Sequence, residues 1–269
     1  MSSISNNKRI TAITIPGTHD SMALYNGFTL MFAKCQAWSL PNQLLAGIRY
    51  LDLRVKVDLH IVHGPVDQRI TFPQVLHHVQ DFLSQHQTET VLIRMKPEGS
   101  EKNDVQKQVE NVIKGKENIW TNENIPTMGE ARGKVILVQK NEFTLGIKTF
   151  NTDQPNDYKV SSIENKKIKI AQHLTEAGKK CAEGSNEVIV SYSSGTGGPH
   201  CNLIRSPEKV ARNIDPWLSE HLNGLHGPCY GVIAMDFPGI DLIEKIIKIN
   251  YTITAKDHII KETTPKKKN

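Results

Sequence analysis

No run of about 18 consecutive apolar residues occurs in this chain, so no segment reads as a membrane-spanning helix. The opening MSSISNNKRI is polar and lacks the apolar stretch of a secretory leader, so the expectation is a cytoplasmic protein, with the mature form of a secreted protein carrying an added Met as the alternative. Cysteine is scarce: Cys35, Cys181, Cys201 and Cys229 lie far apart and share neither a CxxC nor a Cys/His ligand spacing. That spacing argues against a zinc site, and a chain of 269 residues has little need of a disulfide framework, so all four read as free structural thiols. Internal repeats, long low-complexity tracts and a Pro/Gly/Ser-rich linker are also missing, which leaves no seam between two domains. The first strand-to-loop junction, PGTHDSM, has a single glycine, and no P-loop occurs elsewhere, so no dinucleotide fingerprint or phosphate loop is encoded.

The composition that remains, 38% hydrophobic and 23% charged, suits a globular protein with a well-buried core. A formal net charge of +5 and the ending TTPKKKN favour anionic partners. No nucleic-acid motif accompanies that charge, so nucleic acid is not expected as a partner, and an acidic lipid surface stays open beside the plainer reading of a solvated tail.

Segments rich in β-branched and aliphatic residues recur: ITAITI (10–15), IRYLDLRVKV (48–57), TVLIRMK (90–96), KVILVQK (134–140), EVIVSYSS (187–194) and GVIAMDF (231–237) are predicted strands. PQVLHHVQDFLSQH (73–86), DVQKQVENVIKG (104–115) and SPEKVARNIDPWLSEHL (206–222) have helical spacing. Several strands are apolar on both parities, as burial on both faces of a parallel sheet requires. Strand–helix alternation over this length predicts an α/β barrel or a doubly wound sheet, and a barrel gathers its chemistry at the C-terminal ends of its strands.

Polar residues stand at those ends. His19 and Asp20 follow the first strand; Asp52 and Arg54 alternate within YLDLRV and share a face; His63 follows in HIVHGP; Lys96, Lys140 and Asp236 close three later strands. Each has a plain structural alternative: a hydrogen-bonded histidine, an interior Asp52–Arg54 ion pair, a turn-accepting Asp236, solvated lysines. Together, at one end of the predicted strands, two imidazoles, several carboxylates and several cations make a set with a chemical meaning.

ITIPGTHDSM, GIRYLDLRV, HIVHGP, ARGKVILVQK and AMDFP, in this order, resemble the X-region barrel of the phosphatidylinositol-specific phospholipases C, most nearly the small single-domain bacterial type. The resemblance implies a single-domain distorted (β/α) TIM-type barrel over residues 10–262, with residues 1–9 a short extension and 263–269 a basic tail. It implies an enzyme that cleaves phosphatidylinositol to diacylglycerol and inositol 1,2-cyclic phosphate without metal or other cofactor, acting as a monomer that touches the membrane transiently. His19 matches the general base, His63 the general acid, Asp236 the carboxylate that orients the base, Asp20 the partner of the acid, and Arg54 the cation on the phosphate. A cation at Arg54 replaces a calcium-binding carboxylate of the larger signalling enzymes, and it leaves Asp52 as the expected hydrogen-bonding partner of Arg54. Lys96 and Tyr158 match inositol-ring contacts. Lys140 and Asn156 stand where bacterial members carry arginine and aspartate, with Asp157 the competing match for the latter. An inositol-lipid binding module of weak turnover is the alternative reading.

NGFTLMFAKCQAW (26–38) follows the catalytic loop and carries Phe28, Leu30, Met31 and Phe32, which are either core or a membrane-touching rim. The glycine-rich loop SSGTGGP (193–199) is a second, mobile rim candidate.

Overall fold

The computed structural model describes residues 1–28, 32–197 and 206–251. Its frame is a run of parallel strands, β1 (Ile15–Thr18), β2 (Tyr50–Val55), β5 (Val91–Pro97), β6 (Ile119–Trp120), β7 (Val135–Val138), β8 (Thr149–Asn151), β9 (Val188–Tyr192) and β10 (Val232–Met235). They lie in the order β6-β7-β5-β2-β1-β10-β9-β8. A hairpin of β3 (His60–His63) and β4 (Val66–Thr71) hangs antiparallel from β2. The sheet curls back on itself at a short seam between β7 and the segment before β8: Ile147 donates its N–H to Leu137 O (2.9 Å) and accepts from Gln139 N (2.9 Å), and Gly146 N donates to Thr121 O (2.9 Å), just past β6. The result is the expected distorted barrel, fully laddered except at this seam.

The double-sided apolar character of the strands follows from two separate cores. Inward-facing Ile15, Tyr50, Leu92, Ile136, Val138, Val190, Val232 and Ala234 pack together inside the barrel, with Ile4, Ile10 and Ile13 at its base. The alternate residues, among them Leu51, Leu53, Ile93, Met95, Leu137 and Ile233, face outward against the helices. Parity carries the inner row directly into the mouth: Tyr50 leads to Asp52 and Arg54, Leu92 to Arg94 and Lys96, and Ala234 to Asp236. Gly17 lets β1 approach β2, since a Cβ there would meet Tyr50 Cδ1 at 2.8 Å.

The predicted helices are present as α2 (Phe72–Gln85), α3 (Val105–Ile113) and α6 (Pro207–His221). At the start of α2, Thr71 and Gln74 form a capping box and Pro73 sits in the first turn, where a missing N–H costs nothing. Further helices are α1 (Leu40–Leu45), α4 (Met128–Ala131), α5 (Ile163–Ala182) and α7 (Ile240–Lys248).

Two expectations need correction. ITAITI is not one strand: Ile10–Ala12 form a single 3-10 turn and the strand begins at Ile15. The turn places Ile10 and Ile13 across the barrel base, so their apolar character serves a plug. The cysteines are not all free. Cys181 at the end of α5 and Cys229 before β10 form a disulfide, with Cα atoms 5.9 Å apart across 48 residues. Cys35 is free and buried, and Cys201 lies outside the described residues.

Candidate active site

Three adjacent strands, β10, β1 and β2, deliver the central groups. Past the end of β1, His19 N donates to Met235 O (2.9 Å), and the buried Gln36 amide donates to both His19 O (2.7 Å) and Met235 O (2.9 Å). Asp20 then adopts φ +39°, a left-handed conformation costly for a side-chain-bearing residue. The turn is held by Ser21, whose hydroxyl donates to Thr18 O (3.0 Å) and accepts from Asp52 N (2.8 Å). At the end of β10, Phe237 is left-handed as well (φ +48°) and its N–H donates to Cys35 O (3.0 Å). The strained Asp20 itself, and the strained Phe237 beside Asp236, thus aim two carboxylates into the mouth.

The geometry brings His19, Asp20, Arg54, His63 and Asp236 together. Nδ1 of His19 is 2.9 Å from Asp236 Oδ1, and its Nε2 is 3.2 Å from Asp20 Oδ2. His63 presents Nε2 to the same oxygen at 3.3 Å, while its Nδ1 is 2.7 Å from Ala33 O. Arg54 Nε donates to the other Asp20 oxygen at 2.6 Å. Each imidazole therefore has Nδ1 committed to a fixed acceptor and Nε2 left for chemistry.

Electrostatics follow the contacts. Burial disfavours a charged His19, but the Asp20 and Asp236 carboxylates overcome it and push its pKa up to about 9. Burial likewise opposes ionisation of Asp20, and Arg54 with the two histidines prevails, holding it well below the usual carboxylate range. Arg54 is locked in its charged form chiefly by Asp20.

Asp52 is placed differently from expectation. Its partner is Arg94 rather than Arg54: the two are Cα partners in the β2/β5 register, both point inward, and Arg94 Nη1 donates to Asp52 Oδ1. Tyr192 Oη reaches the other Asp52 oxygen at 3.4 Å, and its ring meets the edge of His19 with centroids 5.8 Å apart. Arg94 and Tyr192 carry a signal in the sequence too: Arg94 shares the parity of Lys96, and Tyr192 stands at the end of a predicted strand.

A cavity of about 700 Å³ opens beside this centre, lined by Asp52, Arg94, Lys96, Lys140, Asn156 and Tyr158 among others. Lys96 is paired with Glu98 at 2.6 Å. Lys140 is destabilised as a cation by burial first and then by Arg94. Asn156 takes a left-handed φ of +76° and, with the exposed Tyr158, belongs to the cavity wall. Asp157 turns away, accepting from Gln154 N (2.8 Å) and lying 3.1 Å from His173 Nε2, so it anchors the loop from behind.

On the rim, Phe28 is 79% exposed and Phe32 lines the cavity; Leu30 and Met31 lie outside the described residues. In the second rim loop, Gly195 is packed rather than open, since a Cβ there would meet Val160 Cγ2 at 2.7 Å; residues 198 and 199 lie outside the described residues.

A parallel barrel that sets two imidazoles across one carboxylate, beside an anchored guanidinium, is equipped to move protons on both sides of a phosphate. Comparison with known proteins gives the same class. Residues 13–141 match the family model of the phosphatidylinositol-specific phospholipase C X domain. The 1-phosphatidylinositol phosphodiesterase of Listeria monocytogenes is 30% identical, over 93% of this chain and 84% of that one. The crystallised phosphatidylinositol-specific phospholipase C of Listeria monocytogenes superposes with a TM-score of 0.78 at 25% identity, covering 93% of this chain and 97% of the other. A Staphylococcus aureus phosphatidylinositol-specific phospholipase C structure shares the fold, with a TM-score of 0.76 at 22% identity over 93% and 96% of the two chains. This chain belongs to the phosphatidylinositol-specific phospholipase C family.

Proposed function

We propose that the protein is a metal-independent phosphatidylinositol-specific phospholipase C that cleaves phosphatidylinositol to diacylglycerol and inositol 1,2-cyclic phosphate. The observation that carries this reading is the meeting of both Nε2 atoms at Asp20 Oδ2 beside Arg54. In the ring that has lost its Nε2 proton, the form that grows as pH approaches its value of about 9, His19 Nε2 takes the proton of the inositol 2-hydroxyl as that oxygen attacks phosphorus, and the Asp236 and Asp20 carboxylates stabilise the imidazolium that forms. Charge gathering on the non-bridging phosphate oxygens meets the guanidinium of Arg54, already charged and already oriented. His63 Nε2 protonates the departing glyceride oxygen. The cavity takes the inositol ring, with Lys96, Lys140, Asn156 and Asp52 to its hydroxyls and Tyr158 against its face.

Phosphatidylinositol cleavage in mixed micelles with excess EDTA tests the reading, with phosphorus NMR of the products. Undiminished turnover with a cyclic phosphate appearing first is expected; loss of activity to the chelator would sink it.

The exposed Phe28 and the cavity-lining Phe32 serve as the membrane-touching rim, and the enzyme works as a monomer that visits the bilayer transiently from the aqueous side. The cytoplasmic placement belongs to the same proposal, and the Cys181–Cys229 disulfide stands against it, since disulfides persist in oxidising compartments. In cells quenched with acid and alkylated, a cytoplasmic enzyme should carry label on both cysteines. A bonded, unlabelled pair would move the site of action outside the cytoplasm.

A further inference from the structure

Cys35 has no part in the chemistry described so far, yet the fold buries it against the centre of the site. It is 1% exposed, and its Sγ is 3.9 Å from His63 Nδ1. One donor atom each from His19, Asp20 and Cys35 all lie within 4.8 Å of one another. No spacing in the sequence announces this set, because its members meet only when β1 and the following loop close over the barrel mouth.

The one oxygen and the one nitrogen of the set face each other across the gap a metal would fill. Asp20 Oδ1 is held by Arg54 at 2.6 Å, while its buried Oδ2 makes no well-aligned hydrogen bond and meets only the ion-pair contacts of His19 and His63 Nε2 at 3.2 and 3.3 Å. His19 Nδ1 is committed to Asp236 at 2.9 Å, so Nε2 is the ring nitrogen offered to a ligand, 3.2 Å from that oxygen. A carboxylate behind a histidine is also the arrangement that orients imidazoles on metals and raises their basicity.

We propose that these three side chains form an inhibitory site for a thiophilic divalent cation of the zinc type. A nitrogen, an oxygen and a sulfur donor suit zinc or cobalt(II), and a thiolate is a poor ligand for calcium or magnesium. On binding, the Cys35 thiol and the His19 imidazolium each release a proton to solvent, Sγ and Nε2 take the metal, and a fourth position faces the cavity; burial, which holds the Cys35 thiol up, makes the first of these losses costly. Asp20, Asp236 and the thiolate bring three negative charges around the one guanidinium of Arg54, which weakens the site without cancelling it. A metal so held removes the base, and substrate cannot be deprotonated until it leaves. The inhibitory half of the inference rests on the function proposed above; the binding half does not.

The experiment uses tag-free, chelator-stripped protein with cobalt(II) as an optical probe and zinc as the inhibitor. Wild type should bind one equivalent of cobalt with a thiolate-to-metal charge-transfer band in the near ultraviolet. Cys35→Ala and Cys35→Ser should lose that band, and zinc should inhibit them at least tenfold less effectively than wild type, with EDTA restoring activity in each case. Absence of the band in wild type overturns the site. A zinc titration identical in Cys35→Ala and wild type overturns the role of the thiol, and a cobalt band without inhibition overturns the regulatory reading. Should the protein fail to cleave phosphatidylinositol at all, the cobalt spectrum still decides whether the site exists.

Discussion

His19→Ala and His63→Ala are each expected to lower turnover of phosphatidylinositol by about 10²- to 10⁴-fold, the range for removing a positioned acid or base. Both rings are partly open to the cavity and neither fills the apolar core, so the variants should fold and keep wild-type circular dichroism. The two losses should also differ in kind. A substrate with a better leaving group than a glyceride oxygen needs little help from an acid, so it should recover much of the rate in His63→Ala and little in His19→Ala. The opposite pattern would exchange the two roles, and near-normal turnover in either variant would remove that residue from the mechanism.

Asp20→Asn should have the broadest consequences of any single substitution, because one carboxylate faces both imidazoles and Arg54. Turnover should fall by about 10²-fold or more, as the guanidinium and the acid lose their common anchor. Stability should fall by about 3 kcal/mol, at the low end for a broken buried ion pair because Arg54 keeps a quarter of its side chain in water. For a chain of this length that is roughly 6–12 °C in melting temperature. The pH dependence carries a sign. His19 is raised from 6.5 to about 9 in the folded protein, with burial opposing and Asp20 and Asp236 prevailing. Its charge therefore contributes stability that is fully present below about pH 6.5 and is lost as pH rises through about 9. In Asp20→Asn the His19 pKa should drop and this window should shrink from its alkaline side. Histidine NMR titration and urea unfolding across that range measure both, and superimposable profiles would mean that Asp20 does not hold the His19 charge.

The parts of the site legible in the sequence were those fixed by position along one strand. His19, Arg54 and Asp236 stand at the ends of apolar runs, and the inward parity that buries Tyr50 and Ala234 carries Arg54 and Asp236 into the mouth. What stayed hidden was lateral. Asp52 pairs with Arg94 because β2 lies against β5 in one register, and no pattern within either strand states that register. The Cys181–Cys229 bond was invisible for the same reason, joining a helix end to a strand entrance across 48 residues. Helix α5 was missed because its polar residues outnumber its apolar ones and its inner face includes Lys166 and His173, whose burial depends on Asp153 and Asp157 from a separate loop. The family resemblance supplied the roles that parity could not.

The seam at Gly146 and Ile147 lies away from the strands that carry the central groups. Gly146, at φ +90°, has no side chain, and any Cβ there would overlap the Leu137 carbonyl oxygen, so the join depends on one hydrogen atom's worth of space. Lys140 and Asn141 on the cavity wall emerge immediately beyond that join, whereas His19, Arg54 and Asp236 come from β1, β2 and β10 in the continuous middle of the sheet. The groups proposed to move protons thus stand on the continuous middle of the sheet, while part of the cavity wall stands on its seam.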